Sequence, residues 1–224
     1  MLILLPPSEG KKPGGSGHWN HDGGPFGRAL ADPRDLVASS LARTLPSALK
    51  VRGATAEHAQ IVNAHLLGAP TLPAHERYTG VVYQGLASGT LPPDLMETAK
   101  RSIVVLSGLT GLVRLSDPVP DYRAPMDASI DGIGKLSTYW RPFISPVLQK
   151  AARNEPVIDL LTQVHRSAVE PAGDNWFTVD LVHADVTGGH AAKFAKGRLA
   201  RWLLEHEITE LRRWKFEGWT ARAR

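Results

Sequence analysis

The chain opens on four consecutive apolar residues at 2–5 (Leu-Ile-Leu-Leu), cut off by Pro6-Pro7. Two more runs share that form: 103–106 (Ile-Val-Val-Leu), closed by Ser107-Gly108, and 157–161 (Val-Ile-Asp-Leu-Leu). Short apolar runs rich in β-branched residues and bounded by turn formers predict buried strands. Residues 176–183 (WFTVDLVH) alternate well enough for a fourth. Longer periods lie between them. Asp32-Pro33 predicts a helix start, with Leu36, Val37, Leu41 and Leu45 at helical spacing before Pro46. Thr55 predicts a cap for a helix whose apolar face is Ala59, Ile61, Val62 and Leu66. Residues 77–86 read as a short extended segment leading into a helix. The stretch 136–149 is amphipathic, with Tyr139, Trp140, Phe143, Ile144 and Val147 on the core side. In 190–205, Ala195, Leu199, Trp202 and Leu203 share one arc at about 100° per residue. Strands and helices interleave, so the class is α/β in the mixed α+β sense.

Polar residues at the ends of these runs carry the candidate chemistry. After the first strand, Ser8 can donate to a phosphate or carbonyl, Glu9 can act as a base, and Lys11 can hold an anion. A loop just past a buried strand is a common place for a site, because a rigid scaffold aims its side chains. The spacing of a P-loop is absent. After the 103–106 run, Gly108 and Gly111 turn the chain, Arg114 follows, and Asp117-Pro118 and Pro120-Asp121 hold it extended up to Tyr122-Arg123. On the 190–205 helix, Lys193, Lys196, Arg198 and Arg201 stand without an acid until Glu205. That is more positive charge than solubility needs, and it points to phosphate contact. Gly197 in the same helix costs about 1 kcal/mol against alanine, which implies close approach by backbone or ligand. The tail 209–224 interleaves Arg212, Arg213, Lys215, Arg222 and Arg224 with Trp214, Phe216 and Trp219; the aromatics read as anchors and some arginines as phosphate contacts.

Composition narrows the classes. The 224 residues are 42% hydrophobic and 21% charged, enough for a sizeable core. There is no cysteine, which removes disulfides, thiolate nucleophiles and cysteine-held metals. The formal charge of +4 and the pI near 9.5 permit phosphate contact without demanding it. The apolar start is too short for a signal peptide or a membrane span, so the protein reads as cytoplasmic with no membrane partner. In the glycine-rich loop 13–27, His18 and His21 beside Asp22 lack a scaffold that would fix ligand spacing, so no metal is expected there. A lid over a pocket and a plain surface loop remain equal readings of that loop. No cofactor is expected.

The pattern SGLxGxxR followed by D and YR in 107–123 resembles the YaaA family of peroxide stress proteins. Further pieces fall in that family's order: the opening 1–11 (MLILLPPSEGK), Tyr78-Thr79-Gly80 with Tyr83, Gly85 and Leu86, then Tyr139-Trp140, 157–160 (VIDL), Ala192-Lys193 with Lys196-Gly197 and Arg201, and 216–219 (FEGW). The resemblance covers nearly the whole chain. It implies a single globular domain over 1–224 with a central, positively charged cleft and a helix-hairpin-helix-like region. It further implies a role in the peroxide stress response and binding to double-stranded or branched DNA. On that reading Arg114, Arg123, Lys193, Lys196, Arg198 and Arg201 contact phosphates. Tyr78, Thr79 and Tyr83 line the cleft, as do Thr110, Thr162 and His165, three positions where the chain departs from the family's usual residues. Those departures favour an alternative, an enzyme acting on a small anionic or nucleotide-like molecule, with Ser8, Glu9, Lys11, Tyr122 and Arg123 as its catalytic set.

Overall fold

The computed structural model describes residues 1–171, 173–186 and 188–224. In chain order its first strands are β1 (Leu2–Leu5), β2 (Gly17–His18), β3 (Pro70–Pro73), β4 (Ile103–Ser107), β5 (Gly111–Arg114) and β6 (Pro118–Pro120). Then come β7 (Ser129–Ile130), β8 (Gly134–Lys135), β9 (Val157–Asp159), β10 (Trp176–Val182), β11 (Lys215–Phe216) and β12 (Trp219–Ala223). The helices are α1 (Gly27–Leu41), α2 (Ala54–Ala64), α3 (Ala74–Arg77) and α4 (Val81–Leu86). They continue with α5 (Pro93–Ser102), α6 (Leu136–Ala152), α7 (Gln163–Arg166) and α8 (Gly189–Trp202).

Among the described residues the main sheet has seven strands in the order β11-β12-β10-β9-β1-β4-β5. Its middle, β10-β9-β1-β4, is parallel. β5 returns antiparallel along β4, and β12 runs antiparallel to the outer half of β10. All four residues of β1 and all five of β4 are buried. This is why both read as continuous apolar runs: a parallel strand covered on two faces has no solvent side to keep polar. β1 occupies a topological switch point. The chain leaves it toward β4 on one side and later leaves β9, its other neighbour, toward β10 on the opposite side. The loops after β1 and β9 therefore diverge and open a crevice at the carboxyl ends of the strands, where open α/β sheets bind ligands.

Several boundaries differ from the sequence reading. α1 begins at Gly27 and not at Asp32, and Pro33 falls inside it. Proline has no N–H for the preceding turn, yet the helix persists because its buried face of Leu30, Val37, Ala38 and Leu41 outweighs that loss. Leu36 and Leu45, expected on the apolar side, are exposed. α2 starts after Gly53 with no side-chain cap from Thr55, and Ala59 and Asn63 face inward while Ile61 points to solvent. Asn63 earns that place by pairing with the backbone of Arg123, donating to its carbonyl at 2.8 Å and accepting from its N–H at 2.9 Å.

The glycine-rich loop 13–27 lies folded down on the body against β3. Gly15 and Gly17 pack so closely on Thr71 that an added Cβ would overlap it, and Trp19 and Phe26 are buried. Two buried arginines grip the loop. Arg77 donates to the carbonyls of Lys12, Gly14 and Pro70 within it and beside it. Arg34 donates to those of His21 and Gly23. His18 is held by the Gly68 carbonyl at 3.1 Å.

The glycine in α8 does mark a close approach, and the approaching group is backbone. A Cβ on Gly197 would overlap the Val82 carbonyl and lie 2.6 Å from Leu86 N in α4. Among the described residues no helix is long and apolar enough to cross a membrane.

Candidate functional site

The crevice at the switch point is a cavity of about 860 Å³, within the size range of small-molecule sites. Three loops, three helices and two strands build it: the segment after β1, the Tyr122-Arg123 segment, the segment after β9, then α7, the start of α4 and α8, with β10 and Trp219 of β12. Local backbone pairing fixes the first loop. Lys11 forms a bridge with Tyr78, Lys12 N–H donates to the Arg77 carbonyl at 2.9 Å, and Thr79 N–H donates to the Gly10 carbonyl at 3.1 Å. Ser8 Oγ accepts from Gly80 N–H at 2.7 Å and so caps the start of α4.

Of the residues expected in the site, Ser8, Glu9, Lys11, Tyr83, Tyr122, Arg123, Thr162, His165, Lys193 and Lys196 share the cavity wall. Tyr83 is fixed by donating its hydroxyl to the Pro6 carbonyl at 2.9 Å. Tyr78 lies one layer behind, its hydroxyl 3.0 Å from that of Tyr122, which in turn lies 2.8 Å from Ser107 Oγ. Burial pushes the Tyr122 phenol up to about 12, so it stays protonated.

Six expected site residues fall outside the wall. Thr79 is exposed beside Gly10, and Tyr78 is covered by Tyr122. Thr110 is buried in the β4–β5 turn, where its carbonyl accepts from Arg34 Nε at 2.8 Å. Arg114 lies over the Phe26 ring at 5.3 Å and donates to the Arg101 carbonyl. Arg198 lies over the Phe216 ring at 5.4 Å. Arg201 is engaged at the end of α4, donating to the carbonyls of Leu86 and Ala87 at 3.1 and 2.9 Å and to Thr90 Oγ1 at 3.0 Å. A row of helix cations thus divides: Lys193 and Lys196 reach the cavity, while Arg198 and Arg201 fasten the helix to its neighbours.

Electrostatics inside the cavity are set by desolvation. Lys11 Nζ stands 4.2 Å over the Tyr122 ring, and burial, only partly offset by Asp121, lowers its pKa to about 7. Lys196 donates to the Leu161 carbonyl at 3.3 Å and is lowered by burial, then by Arg166, to about 8. Burial and then Lys196 lower His165 to about 4, which leaves the imidazole neutral at pH 7 and bonded to Thr162 Oγ1 at 2.8 Å. Arg123 Nη2 pairs with Glu9 at 3.2 Å, while its Nε is buried with no acceptor among the described residues.

The Lys11 shift has a measurable sign. An amine whose folded pKa is lowered is a destabilising cation below about pH 7, and the penalty fades as pH rises toward its ordinary value of 10.5. Lys11→Met is therefore expected to raise stability more at pH 6 than at pH 9, by a factor on the order of one hundred in the folding equilibrium constant. Urea titrations of both proteins at the two pH values measure it; an equal gain at both would remove the case for a desolvated amine.

Sequence reasoning missed Arg166, which forms an ion pair at 2.6 Å with the fully buried Asp159 at the end of β9. An aspartate within an apolar strand was the available signal, since a buried carboxylate needs a partner. Missed as well were Asp127, Asp180, His183 and Trp219 on the rim.

A family model described as peroxide stress protein YaaA matches residues 1–224 in full. The chain belongs to the YaaA family. It is similar to a UPF0246 protein of Streptomyces coelicolor, 35% identical over 91% of this chain and 83% of the relative. A UPF0246 protein of Corynebacterium efficiens is 34% identical over 91% and 84%. One of Francisella tularensis subsp. novicida is 33% identical over 58% and 56%. The YaaA resemblance read from residues 107–123 and the six outlying pieces is thereby established over the full length.

Proposed function

We propose that the cavity binds a small anionic molecule of nucleotide-like size and serves as an enzyme active site. The observation that carries this reading is the clustering of Lys11, Arg123 and Lys196 on one cavity wall, where the Arg123 side chain is 17% exposed and, among the described residues, forms an ion pair only with the exposed Glu9. A guanidinium on the wall of a partly desolvated cavity binds an anion through charge-assisted hydrogen bonds. Neutral His165, the protonated Tyr122 phenol and the Glu9 carboxylate supply a weak donor set and one base around the same space. Any role of such chemistry in the peroxide response, as the family description suggests, belongs to this proposal.

The competing idea is phosphate contact with duplex or branched DNA along α8. It has less support, because three of its four cations, Lys196, Arg198 and Arg201, are engaged with carbonyls and an aromatic ring. Titration of tryptophan fluorescence, with Trp219 on the cavity wall, against a panel of nucleoside monophosphates tests the choice. Saturable quenching that weakens about tenfold or more in Arg123→Gln is expected. Binding to duplex and four-way-junction DNA that exceeds monophosphate binding, falls steeply with salt and survives Arg123→Gln would overturn the proposal in favour of DNA.

A further inference from the structure

Lys11 differs from every other lysine of the chain. Its backbone is fixed by the bridge to Tyr78, its Nζ stands over the face of Tyr122, and its only hydrogen-bond contact among the described residues is the Glu9 carbonyl at 3.5 Å. Lys196, the other half-buried lysine of the wall, is tied to the Leu161 carbonyl, and Lys193 is exposed. An amine held rigidly on a cavity wall, in no direct ion pair among the described residues, is placed for use on a ligand and not for structure. Arg123 shares that wall and its charge acts on Nζ, so an anion paired with its guanidinium lies near the amine.

We infer that Lys11 is a nucleophilic lysine that forms an imine with the carbonyl group of a small anionic aldehyde or 2-oxo acid held by Arg123. The inference rests on the anion-binding reading of the cavity. In the step, the Nζ lone pair forms a bond to the carbonyl carbon, and the carbonyl π pair moves to oxygen, which takes one amine proton to give a carbinolamine. That hydroxyl then leaves with the second amine proton as water, and the C=N bond remains. Asp121 and, after it, Glu9 are the carboxylates whose charge acts on Nζ, and either can relay the departing proton. Once protonated on nitrogen, the imine is an electron sink that takes up, as an enamine, the pair left when a bond at the adjacent carbon breaks; this is the basis of lysine-dependent bond cleavage next to a carbonyl. The lowered Lys11 pKa of about 7 fits, because it leaves a free amine at neutral pH where an ordinary lysine is almost wholly protonated.

Reductive trapping tests this. Full-length protein is incubated with sodium cyanoborohydride and either glyoxylate, which offers a carboxylate, or pyridoxal 5′-phosphate, which offers a phosphate; benzaldehyde serves as the uncharged control. Peptide mass mapping then locates the secondary amine. Lys11 is expected to be labelled about tenfold or more faster at pH 7.5 than exposed lysines such as Lys150 and Lys215, with either anionic aldehyde, and more slowly with benzaldehyde. The faster arm reveals which anion the site takes. Labelling rate is expected to level off just above pH 7 in place of climbing to pH 10, and Lys11→Arg abolishes the rapid phase. Label spread evenly over surface lysines, or concentrated on Lys193 or Lys196, overturns the inference. If monophosphate quenching persists in that case, the imine chemistry alone fails; if quenching is also missing, the anion site fails with it.

Discussion

Replacing Arg34 with methionine is expected to cost about 3–5 kcal/mol of folding stability, among the larger effects a single substitution can have. Arg34 is 1% exposed and spends its guanidinium on four backbone carbonyls: Thr110 at 2.8 Å, Leu112 at 2.7 Å, Gly23 at 2.8 Å and His21 at 3.0 Å. Those four acceptors come from the β4–β5 turn, from β5 and from the loop before α1. Methionine matches the aliphatic stem but leaves these carbonyls short of a donor, and each such group costs on the order of 1 kcal/mol or more. It also removes the charge facing Asp117, whose carboxyl burial already pushes upward. Arg34→Lys should recover only a minor part, because one ammonium cannot reproduce a planar fork. The check is the urea midpoint at unchanged slope. A loss below about 1 kcal/mol in both variants would show that the turn and the loop hold without it.

That arginine also marks where sequence reasoning stopped. The strands β1, β4 and β9 were legible because a buried parallel strand has little choice of composition, and β10 because its residues alternate. The switch-point site was legible in its parts, since Ser8-Glu9-Lys11 and Tyr122-Arg123 sit at strand ends and within stretches that resemble the YaaA family. What brings them together is long-range pairing, such as Lys11 with Tyr78, which no local period records. Charge was the least legible property. Lys193, Lys196, Arg198 and Arg201 look alike along the chain, yet a guanidinium that meets helix-terminal carbonyls is consumed there, and only the partner reveals it. The loop 13–27 read as a possible lid for the same reason: its glycines signal turns, while the arginines that fasten it, Arg34 and Arg77, lie outside it. The face of α2 kept Ala59, and Leu66 just beyond its end, but lost Ile61 to solvent and took in Asn63, which satisfies backbone groups that an apolar residue would strand. At Asp32-Pro33 the usual helix-start signal lost to the buried stripe on either side of it.

Gly197→Ala is expected to destabilise the protein by about 2 kcal/mol or more, against the direction of helix propensity. Alanine gains about 1 kcal/mol over glycine inside a helix. Against this, the new methyl would overlap the Val82 carbonyl oxygen and lie 2.6 Å from Leu86 N and 2.9 Å from Gly85 C. These are backbone atoms, which cannot rotate away, so the two helices must separate, and overpacking of this kind costs 1–3 kcal/mol or more. Gly85 is the other half of the crossing: a Cβ there would overlap the Phe194 carbonyl and approach Arg198 N to 3.2 Å. Gly85→Ala should therefore cost a similar amount. The double variant should cost clearly less than the sum, since one displacement of α8 relieves both clashes. Gly89→Ala, which meets nothing within 4 Å, should change stability by less than about 0.5 kcal/mol. α4 carries Tyr83 and α8 carries Lys193 and Lys196, so the same displacement widens the cavity, and anion affinity should fall together with stability in both single variants. Additive costs in the double variant, or full stability with weakened ligand binding, would mean that the two glycines serve the ligand separately and not a shared helix contact.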